Sequence, residues 1–192
     1  PIRVAERCAT LDIISKGRLR IIVGAGYREE EYEQFGLSMR NRPSLMERGI
    51  DVLKKAWTGE PFEFEGRTVR ILPRPVQQPR PEIHLGGSSK PSAERAARIA
   101  DGYDPVSTEL YEHYRKALAE LGKSVPPPML RRVTYPFLYI THDPDKAWNT
   151  IAPHAMHETN DYGRWLRGAG AQYASFKEVS DPESMTKKNI IL

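Results

Sequence analysis

The residues with the clearest chemical potential are two glycines followed by two serines, Gly86-Gly87-Ser88-Ser89, between an apolar run and a helical pattern. Glycine lets the backbone approach a ligand closely. Ser89 can cap the next helix, which begins near Pro91, and the N–H groups of that first turn carry the positive end of the helix dipole. This combination predicts an anion site to which Lys90 adds charge. The alternative is a tight, well-capped βα turn without a ligand, and both interpretations stay open on composition alone.

A second glycine segment, Gly24-Ala25-Gly26, follows another apolar run and precedes Tyr27 and Arg28. The spacing lacks the third glycine of the dinucleotide fingerprint, because the corresponding position is Glu29, so we reject a Rossmann interpretation. The segment is then a flexible loop at a strand end that can admit a planar ring, with Tyr27 or Arg28 as a contact. A plain turn is the alternative.

The histidines provide a weaker signal. His154 and His157 have helical i, i+3 spacing with Glu158 beside them, which is compatible with a metal, but the segment is not H-E-x-x-H and Pro153 disturbs its start. We therefore predict no metal. His84 lies inside a predicted strand, where a structural role is the first interpretation and a side chain that points into a barrel is the second. The sequence has no G-x-S-x-G, P-loop or Cys-x-x-Cys motif, so hydrolase and phosphoryl-transfer functions lack their usual residues.

Composition excludes several classes of protein. Of 192 residues, 39% are hydrophobic and 28% are charged, which is ordinary for a globular protein. No apolar run approaches the roughly 18–20 residues of a membrane span, and no secretory signal is visible. The single cysteine, Cys8, excludes an internal disulfide and fits a reducing compartment. The basic residues behind the net charge of +4 are scattered, so we predict a cytoplasmic protein without a nucleic-acid or membrane partner.

Hydrophobic periodicity predicts helices that alternate with strands. The helices are predicted over 1–14, 29–35, 43–57, 90–99, 107–121, from 143 onward and over 158–167. The strands are predicted over 19–23, 82–85, 101–104 and 133–140, with a β-hairpin around Glu65-Gly66-Arg67. This order predicts an α/β fold with parallel strands.

The fold class that we predict is a TIM-type (β/α)8 barrel that is incomplete in this chain, as one domain over 1–192 with a hairpin insertion near 61–72. A complete barrel needs roughly 250 residues. Both ends look cut, because Pro1 leads directly into a helix and residues 189–192 resemble the start of a strand. Unpaired strand edges favour association, so we expect a homo-oligomer.

The order of motifs along residues 1–105 resembles the bacterial luciferase-like monooxygenase family. The matching segments include Ser15-Lys16-Gly17-Arg18-Leu19, Val23-Gly24-Ala25-Gly26-Tyr27, Pro73-Arg74-Pro75-Val76-Gln77, Gly86-Gly87-Ser88 and Ala100-Asp101-Gly102-Tyr103. The later half, including 158–162 and Trp165, resembles the family only loosely. A series of matches in the family's order is far more specific than any one motif.

The resemblance implies a TIM-type barrel that uses FMN or the deazaflavin coenzyme F-420 to transfer hydride or to activate oxygen on a small organic substrate. In relatives, the loop that matches Gly86, Gly87 and Ser88, with the following helix up to Ser92, binds the cofactor phosphate. The strand end that matches Gly24, Ala25 and Gly26 lies beside the phosphate and ribityl chain. Bacterial luciferase carries an arginine where Ala25 stands here, so no side-chain phosphate contact is implied at that position.

The resemblance leaves the catalytic residues unknown. Relatives have about three further βα units before Pro1, including the strand that supports the flavin ring, and they continue past Leu192. We therefore expect an oxidoreductase represented by a fragment, together with a small-molecule substrate and a flavin reductase that supplies the reduced cofactor. Two other hypotheses stay open, namely a non-catalytic, degenerate flavoprotein of the same fold and a sugar- or phosphate-metabolising barrel without flavin.

Overall fold

A computed structural model describes residues 1–129, 137–168, 179–181 and 190–191 of the chain. The chain divides into two compact units, the first from Pro1–Gly26 and Arg40–Leu130, the second from Tyr27–Met39 and Arg131–Leu192. The elements are α1 (Ile2–Ile14), β1 (Arg20–Val23), α2 (Glu29–Gln34), a 3-10 turn (Met39–Asn41), α3 (Arg42–Ala56), β2 (Phe62–Phe64), β3 (Arg67–Val69), β4 (Glu82–Gly87), α4 (Lys90–Ile99), β5 (Gly102–Pro105), α5 (Thr108–Glu120), β6 (Phe137–Leu138), α6 (Pro144–Gly168) and β7 (Ile190–Ile191).

The first unit contains a three-stranded parallel sheet in the order β1-β4-β5. Because side chains alternate between the faces of a strand, one set points toward the helices and the other away from them. Ile83 and Leu85 of β4 are 0% exposed on the helix side. On the opposite face, Ile22 of β1 is 60% exposed. This one-sided burial is what a parallel sheet with helices on one face produces.

Small residues let the helices of the first unit pack closely against one another and against the sheet. The fully buried alanines are Ala5, Ala9, Ala56, Ala93, Ala96 and Ala97. Among them lies Trp57, 1% exposed, whose indole N–H donates to the carbonyl of Ala5 at 3.0 Å. The indole thus fills the core and satisfies its one donor, as a buried tryptophan requires.

A buried carboxylate fixes the end of α1 to the Pro-rich connector that precedes β4. Asp12 is 0% exposed, and its two oxygens accept from the backbone N–H of Gln77 at 3.0 Å and from the Gln77 amide at 2.7 Å. The same amide donates to the carbonyl of Leu19 at 2.7 Å. A buried carboxylate needs such partners, because an unpaired buried charge is strongly destabilising.

Two ion pairs, Arg80 with Asp101 and Arg95 with Glu47, connect segments next to the sheet. Asp101 accepts from Arg80 at 2.5 Å and 2.9 Å and from the backbone N–H of Ile83 at 2.8 Å. Burial raises the pKa of Asp101, but these hydrogen bonds outweigh it and the net shift is downward. Glu47 of α3 forms an ion pair with Arg95 of α4, with 2.8 Å between Oε1 and Nε, and so connects the two helices.

Sequence predictions in the first unit agree with the structure to within about three residues at each boundary. The hairpin is present as the antiparallel pair β2–β3. Gly17, three residues after the end of α1, has φ +76°, the left-handed conformation with which glycine commonly stops a helix.

In the second unit, the helix predicted over 158–167 and the one predicted from 143 are a single helix, α6, which continues through Pro153. Asp143 caps it, since its carboxylate accepts from the N–H of Lys146 at 3.0 Å. Of the strand predicted over 133–140, residues 137–140 are described, and Phe137–Leu138 form β6, which pairs in parallel with β7. Residues 133–136 lie outside the described chain. Among the described helices, none has the length and apolar character needed to span a membrane.

Candidate cofactor-binding site

The two predicted glycine segments lie side by side at one edge of the sheet in the first unit. Strands β1 and β4 run parallel with Val23 opposite Leu85, so Gly24, directly after β1, stands level with Gly86 near the end of β4. Gly26 has φ +76°, which turns the chain after β1. The carboxyl edge of a parallel sheet is where ligands bind in α/β folds.

The turn after β4 is built as a reciprocal capping box. Ser89 is extended, with φ −147° and ψ 156°, and its Oγ accepts from the N–H of Ser92 at 3.4 Å. The Oγ of Ser92 accepts from the N–H of Ser89 at 3.2 Å and donates to the Ser89 carbonyl at 2.6 Å. Ser89 is therefore the N-cap of α4, as predicted.

Tyr103 of β5 supports the turn from the helix side of the sheet. Its ring is 4% exposed and its hydroxyl lies 3.0 Å from the Oγ of Ser92. Ser92 uses its single hydrogen on the Ser89 carbonyl, so Tyr103 is the donor of this bond. Burial raises the pKa of Tyr103 above its ordinary value, and the hydrogen bond with Ser92 opposes this shift without reversing it.

Gly87 is the point of closest approach between β4 and α4. A Cβ at this position would lie 2.5 Å from the Cβ of Ser92, closer still to its Oγ, and 3.3 Å from the Tyr103 ring. At Gly86 a Cβ would meet only ordinary contacts, the nearest being the Cγ2 of Ile22 at 3.5 Å. Gly87 thus serves packing, whereas Gly86 places only backbone on the opposite face of the sheet.

The turn presents the donors that a phosphate requires. The Ser88 hydroxyl is exposed and has no hydrogen-bond partner in the described part of the chain. In the first turn of α4, Pro91 has no N–H and the Ser92 N–H is used by the cap, so Lys90 supplies the available backbone N–H together with its ammonium. These groups and the helix dipole fit a phosphate. Ser92 was predicted to contact the phosphate directly. In this structure its hydroxyl forms hydrogen bonds with Ser89 and Tyr103 instead.

The space beside Gly24 is open, unlike that beside Gly86. A Cβ at Gly24 would have no described atom within 4 Å. Ala25 is half-buried and packs against the core of the first unit. The segment from Gly24 to Gly26 therefore offers backbone, and no bulky side chain of its own, to a ligand that lies along the sheet edge.

A polar pair that the sequence interpretation did not identify lies on the face away from the helices. The Nδ1 of His84 is 2.9 Å from the Oδ2 of Asp104, and the His84 side chain is 17% exposed. Alternation within β4 and β5 places both residues on the face of Gly86. The sequence did contain a signal for this pair. Positions 84 and 86 lie on the same face of a strand, and parallel pairing of β4 with β5 brings position 104 beside them.

The second unit contains an aromatic cluster, Tyr27, Tyr162 and Trp165. Tyr27 lies 5.7 Å from Tyr162 and 6.3 Å from Trp165, measured between ring centroids. Burial and the hydrogen bond to Tyr162 raise the pKa of Tyr27 to about 12. The Arg28 guanidinium lies 4.7 Å from the Trp165 ring centroid and pairs with Glu31 at 2.8 Å. Both residues singled out after the glycine segment therefore pack within this unit.

In the described part of the chain, the two histidines in the middle of α6 do not form part of a cluster of metal ligands. His154 and His157 are exposed, and His157 lies 3.5 Å from Asp161. In the described ranges, no three His, Cys, Asp or Glu residues are placed so that they could hold a metal ion.

Comparison with known proteins identifies the family. A family model described as luciferase-like monooxygenase matches residues 1–188. An FMNH2-dependent dimethylsulfone monooxygenase from Pseudomonas putida is 34% identical over 111 residues, which cover 54% of this chain and 31% of that protein. The corresponding protein of Pseudomonas fluorescens is 32% identical over 111 residues, 54% of this chain and 30% of that protein. The match thus spans about a third of the length of these relatives.

Solved structures show the same fold at low sequence identity. An F420-dependent secondary alcohol dehydrogenase in complex with an F420-acetone adduct matches with a TM-score of 0.62 and 19% identity, over 96% of this chain and 56% of that one. The oxygenating constituent of 3,6-diketocamphane monooxygenase from Pseudomonas putida, in complex with FMN, matches with a TM-score of 0.59 and 17% identity, over 90% and 57%. With its α/β architecture and parallel sheet, an incomplete TIM-type barrel, the chain belongs to the luciferase-like monooxygenase family.

Proposed function

We propose that this chain is part of an oxidoreductase that acts on a small organic substrate with reduced FMN or a deazaflavin, and that the turn from Gly86 to Lys90 holds the phosphate of that cofactor. The observation that carries the proposal is the geometry of this turn. The exposed Ser88 hydroxyl and the α4 N-terminus stand at the carboxyl edge of a parallel sheet, beside a second glycine segment. Membership of the family and the cofactors named in its relatives support the same assignment.

The residues of the chain have separate tasks in this proposal. Ser88 and the N–H of Lys90 bind the phosphate, and the Lys90 ammonium adds attraction at longer range. Ser92 and Tyr103 hold the turn in the shape that presents these donors. Gly24 and Gly86 let the cofactor lie against the backbone. When bound, the cofactor supplies the hydride transfer or the oxygen activation, and the protein supplies position and exclusion of water.

The test is a pair of titrations of the full-length protein, one with FMN in both redox states and one with deazaflavin, followed by fluorescence. We expect saturable binding of one class. Ser88→Ala should weaken binding of the phosphorylated cofactor by about fivefold or more, since a lost hydrogen bond to a charged group costs about 1 kcal/mol or more. Riboflavin, which has no phosphate, should bind the variant and the wild type equally.

Ser107→Ala is the matched control, because Ser107 caps the neighbouring helix α5 through the N–H of Leu110. We expect it to leave cofactor affinity unchanged. Equal losses in the two variants would refute the phosphate assignment, and no binding of either cofactor class by the full-length protein would refute the function. The relatives' names also make a separate flavin reductase the expected partner if FMN is the cofactor. A cytoplasmic location and homo-oligomeric assembly stay predictions.

A further inference from the structure

Four charged or titratable side chains form a continuous chain on the sheet face opposite the helices. Arg20 of β1 meets Glu82 of β4, with its Nε 3.0 Å from Oε2. The same Glu82 oxygen lies 3.6 Å from the Nε2 of His84, whose Nδ1 is 2.9 Å from the Oδ2 of Asp104. The chain runs from the amino edge of the sheet, where Arg20 and Glu82 are register partners, toward its carboxyl edge at Asp104.

The sequence leaves specific room for the histidine in this chain. Gly102 is the register partner of His84, and a Cβ at position 102 would lie 2.5 Å from Nε2 and 2.7 Å from Nδ1 of the ring. Any other residue at 102 would displace the imidazole from its place over β5. The pairing of β4 with β5 therefore fixes the position of the His84 side chain. From there the ring extends toward the carboxyl edge of the sheet, where its Nδ1 forms a hydrogen bond with Asp104.

Asp104 is left with an unused, partly exposed acceptor near the carboxyl edge of the sheet. Its Oδ2 is engaged by His84, whereas Oδ1 has no hydrogen-bond partner among the described residues, and the side chain is 31% exposed. Its register partner on the same face is Gly86, which has no side chain of its own, and the side-chain atom nearest to a Cβ built there is the Cγ2 of Ile22 at 3.5 Å. Gly86 also begins the turn to which we assign the phosphate.

We propose that the Asp104 carboxylate, oriented by His84, is an acceptor site for a hydroxyl-bearing ligand chain that lies over Gly86. An ionised carboxylate only accepts hydrogen bonds, so the group that it recognises must be a donor such as a hydroxyl. The assignment rests on the proposed function, because FMN and deazaflavin cofactors both carry a polyhydroxylated chain between ring and phosphate. Asp104 contacts that chain, and His84 is a positioning residue that fixes the carboxylate.

The experiment compares three flavins that differ by one part each: FMN, riboflavin, which lacks the phosphate, and lumiflavin, which lacks the hydroxylated chain as well. In the full-length protein, Asp104→Asn should lower the affinity for FMN and for riboflavin by about fivefold to tenfold and leave the affinity for lumiflavin unchanged. This pattern differs from that of Ser88→Ala, which affects FMN alone. If the protein prefers deazaflavin, the same comparison uses that cofactor, its dephosphorylated form and the bare ring.

Variants of His84 separate positioning from bulk packing. His84→Leu removes the donor to Asp104 and should reproduce the Asp104→Asn pattern, whereas His84→Asn keeps a donor near the position of Nδ1 and should recover most of the affinity. Asp51→Asn is the control, since Asp51 is an exposed carboxylate on α3 that pairs with Lys55. The Asp51→Asn variant should bind all three flavins with the affinities of the wild type.

The outcomes decide between the two proposals. Suppose that the wild type binds FMN, and that Asp104→Asn either leaves the affinities for all three flavins unchanged or lowers all three equally. The Asp104 assignment is then overturned, and the cofactor assignment stands. If the wild type binds no flavin or deazaflavin, both are overturned. Failure of His84→Asn to recover affinity that His84→Leu loses would overturn the positioning role.

Discussion

Replacing Gly87 by alanine is a substitution for which the structure predicts a large effect on the candidate site. The added Cβ would lie 2.5 Å from the Cβ of Ser92 and 3.3 Å from the Tyr103 ring. Rotation of the Ser92 side chain moves its hydroxyl but not its Cβ, so the backbone of β4 or α4 must shift. Gly86→Ala is the matched control, one residue away, with its nearest contact at an ordinary 3.5 Å.

The magnitude follows from two contributions. Overpacking in a filled interior costs about 1–3 kcal/mol. A shift of Ser92 also weakens the capping box, for which about 1 kcal/mol is typical. We therefore expect Gly87→Ala to lower the free energy of unfolding by about 2–4 kcal/mol, and Gly86→Ala to lower it by less than about 1 kcal/mol. Urea unfolding followed by the fluorescence of the buried Trp57 measures both values.

A double-mutant cycle with Ser92→Gly tests the cause rather than the size of the effect. Ser92→Gly alone removes part of the cap, but it also removes both atoms that the new Cβ would strike. Gly87→Ala should therefore cost much less in the Ser92→Gly background than in the wild type, with a coupling of about 1–3 kcal/mol. Additive effects, or equal losses for Gly87→Ala and Gly86→Ala, would refute the close-approach explanation of this glycine.

Three further changes test the structure around the site. Gln77→Ala removes two side-chain hydrogen bonds, one of them to the buried Asp12 carboxylate, and should cost about 2 kcal/mol in urea unfolding. Ser89→Ala removes the N-cap of α4 and should cost about 1 kcal/mol in the same assay. The folded-state pKa of Asp101 lies below its ordinary 3.8, so its contribution is complete above about pH 4 and is lost as the pH falls through the folded-state value. Thermal unfolding of Asp101→Asn should accordingly show less loss of stability below pH 4 than the wild type shows, and an equal acid dependence would contradict this assignment.

Local patterns were sufficient to predict the elements that position the turn. Ser89 followed by Pro91 and an alanine-rich amphipathic run specifies where α4 begins, because cap and proline preferences act within a few residues. The strand before it was predictable from its apolar run and flanking glycines. The difference between Gly86 and Gly87 was not, since it depends on which atoms of α4 and β5 stand opposite each position.

Contacts between distant residues could not be read from periodicity. Asp12 lies in an amphipathic helix like any polar residue, and only the folded connector, 65 positions away, shows why it is fully buried. In the second unit, the sequence pattern predicted two helices, one from 143 onward and one over 158–167, but α6 continues unbroken through Pro153. A proline inside a helix removes one hydrogen bond, and the surrounding turns of this long helix tolerate that loss.

Strand β4 shows how one short sequence can serve stability and binding separately. Its odd positions, Ile83, Leu85 and Gly87, face the helices, where volume decides the free energy of unfolding. Its even positions, His84 and Gly86, face the side on which Asp104 stands. Because alternation in a strand assigns neighbouring residues to opposite faces, substitutions in β4 should divide by parity. Ile83→Ala should cost about 2–5 kcal/mol of stability while ligand discrimination among the three flavins stays unchanged, whereas His84→Leu should alter that discrimination. An effect of Ile83→Ala on discrimination equal to that of His84→Leu would show that the two faces are coupled through the backbone, and the binding role of the even face would then fail.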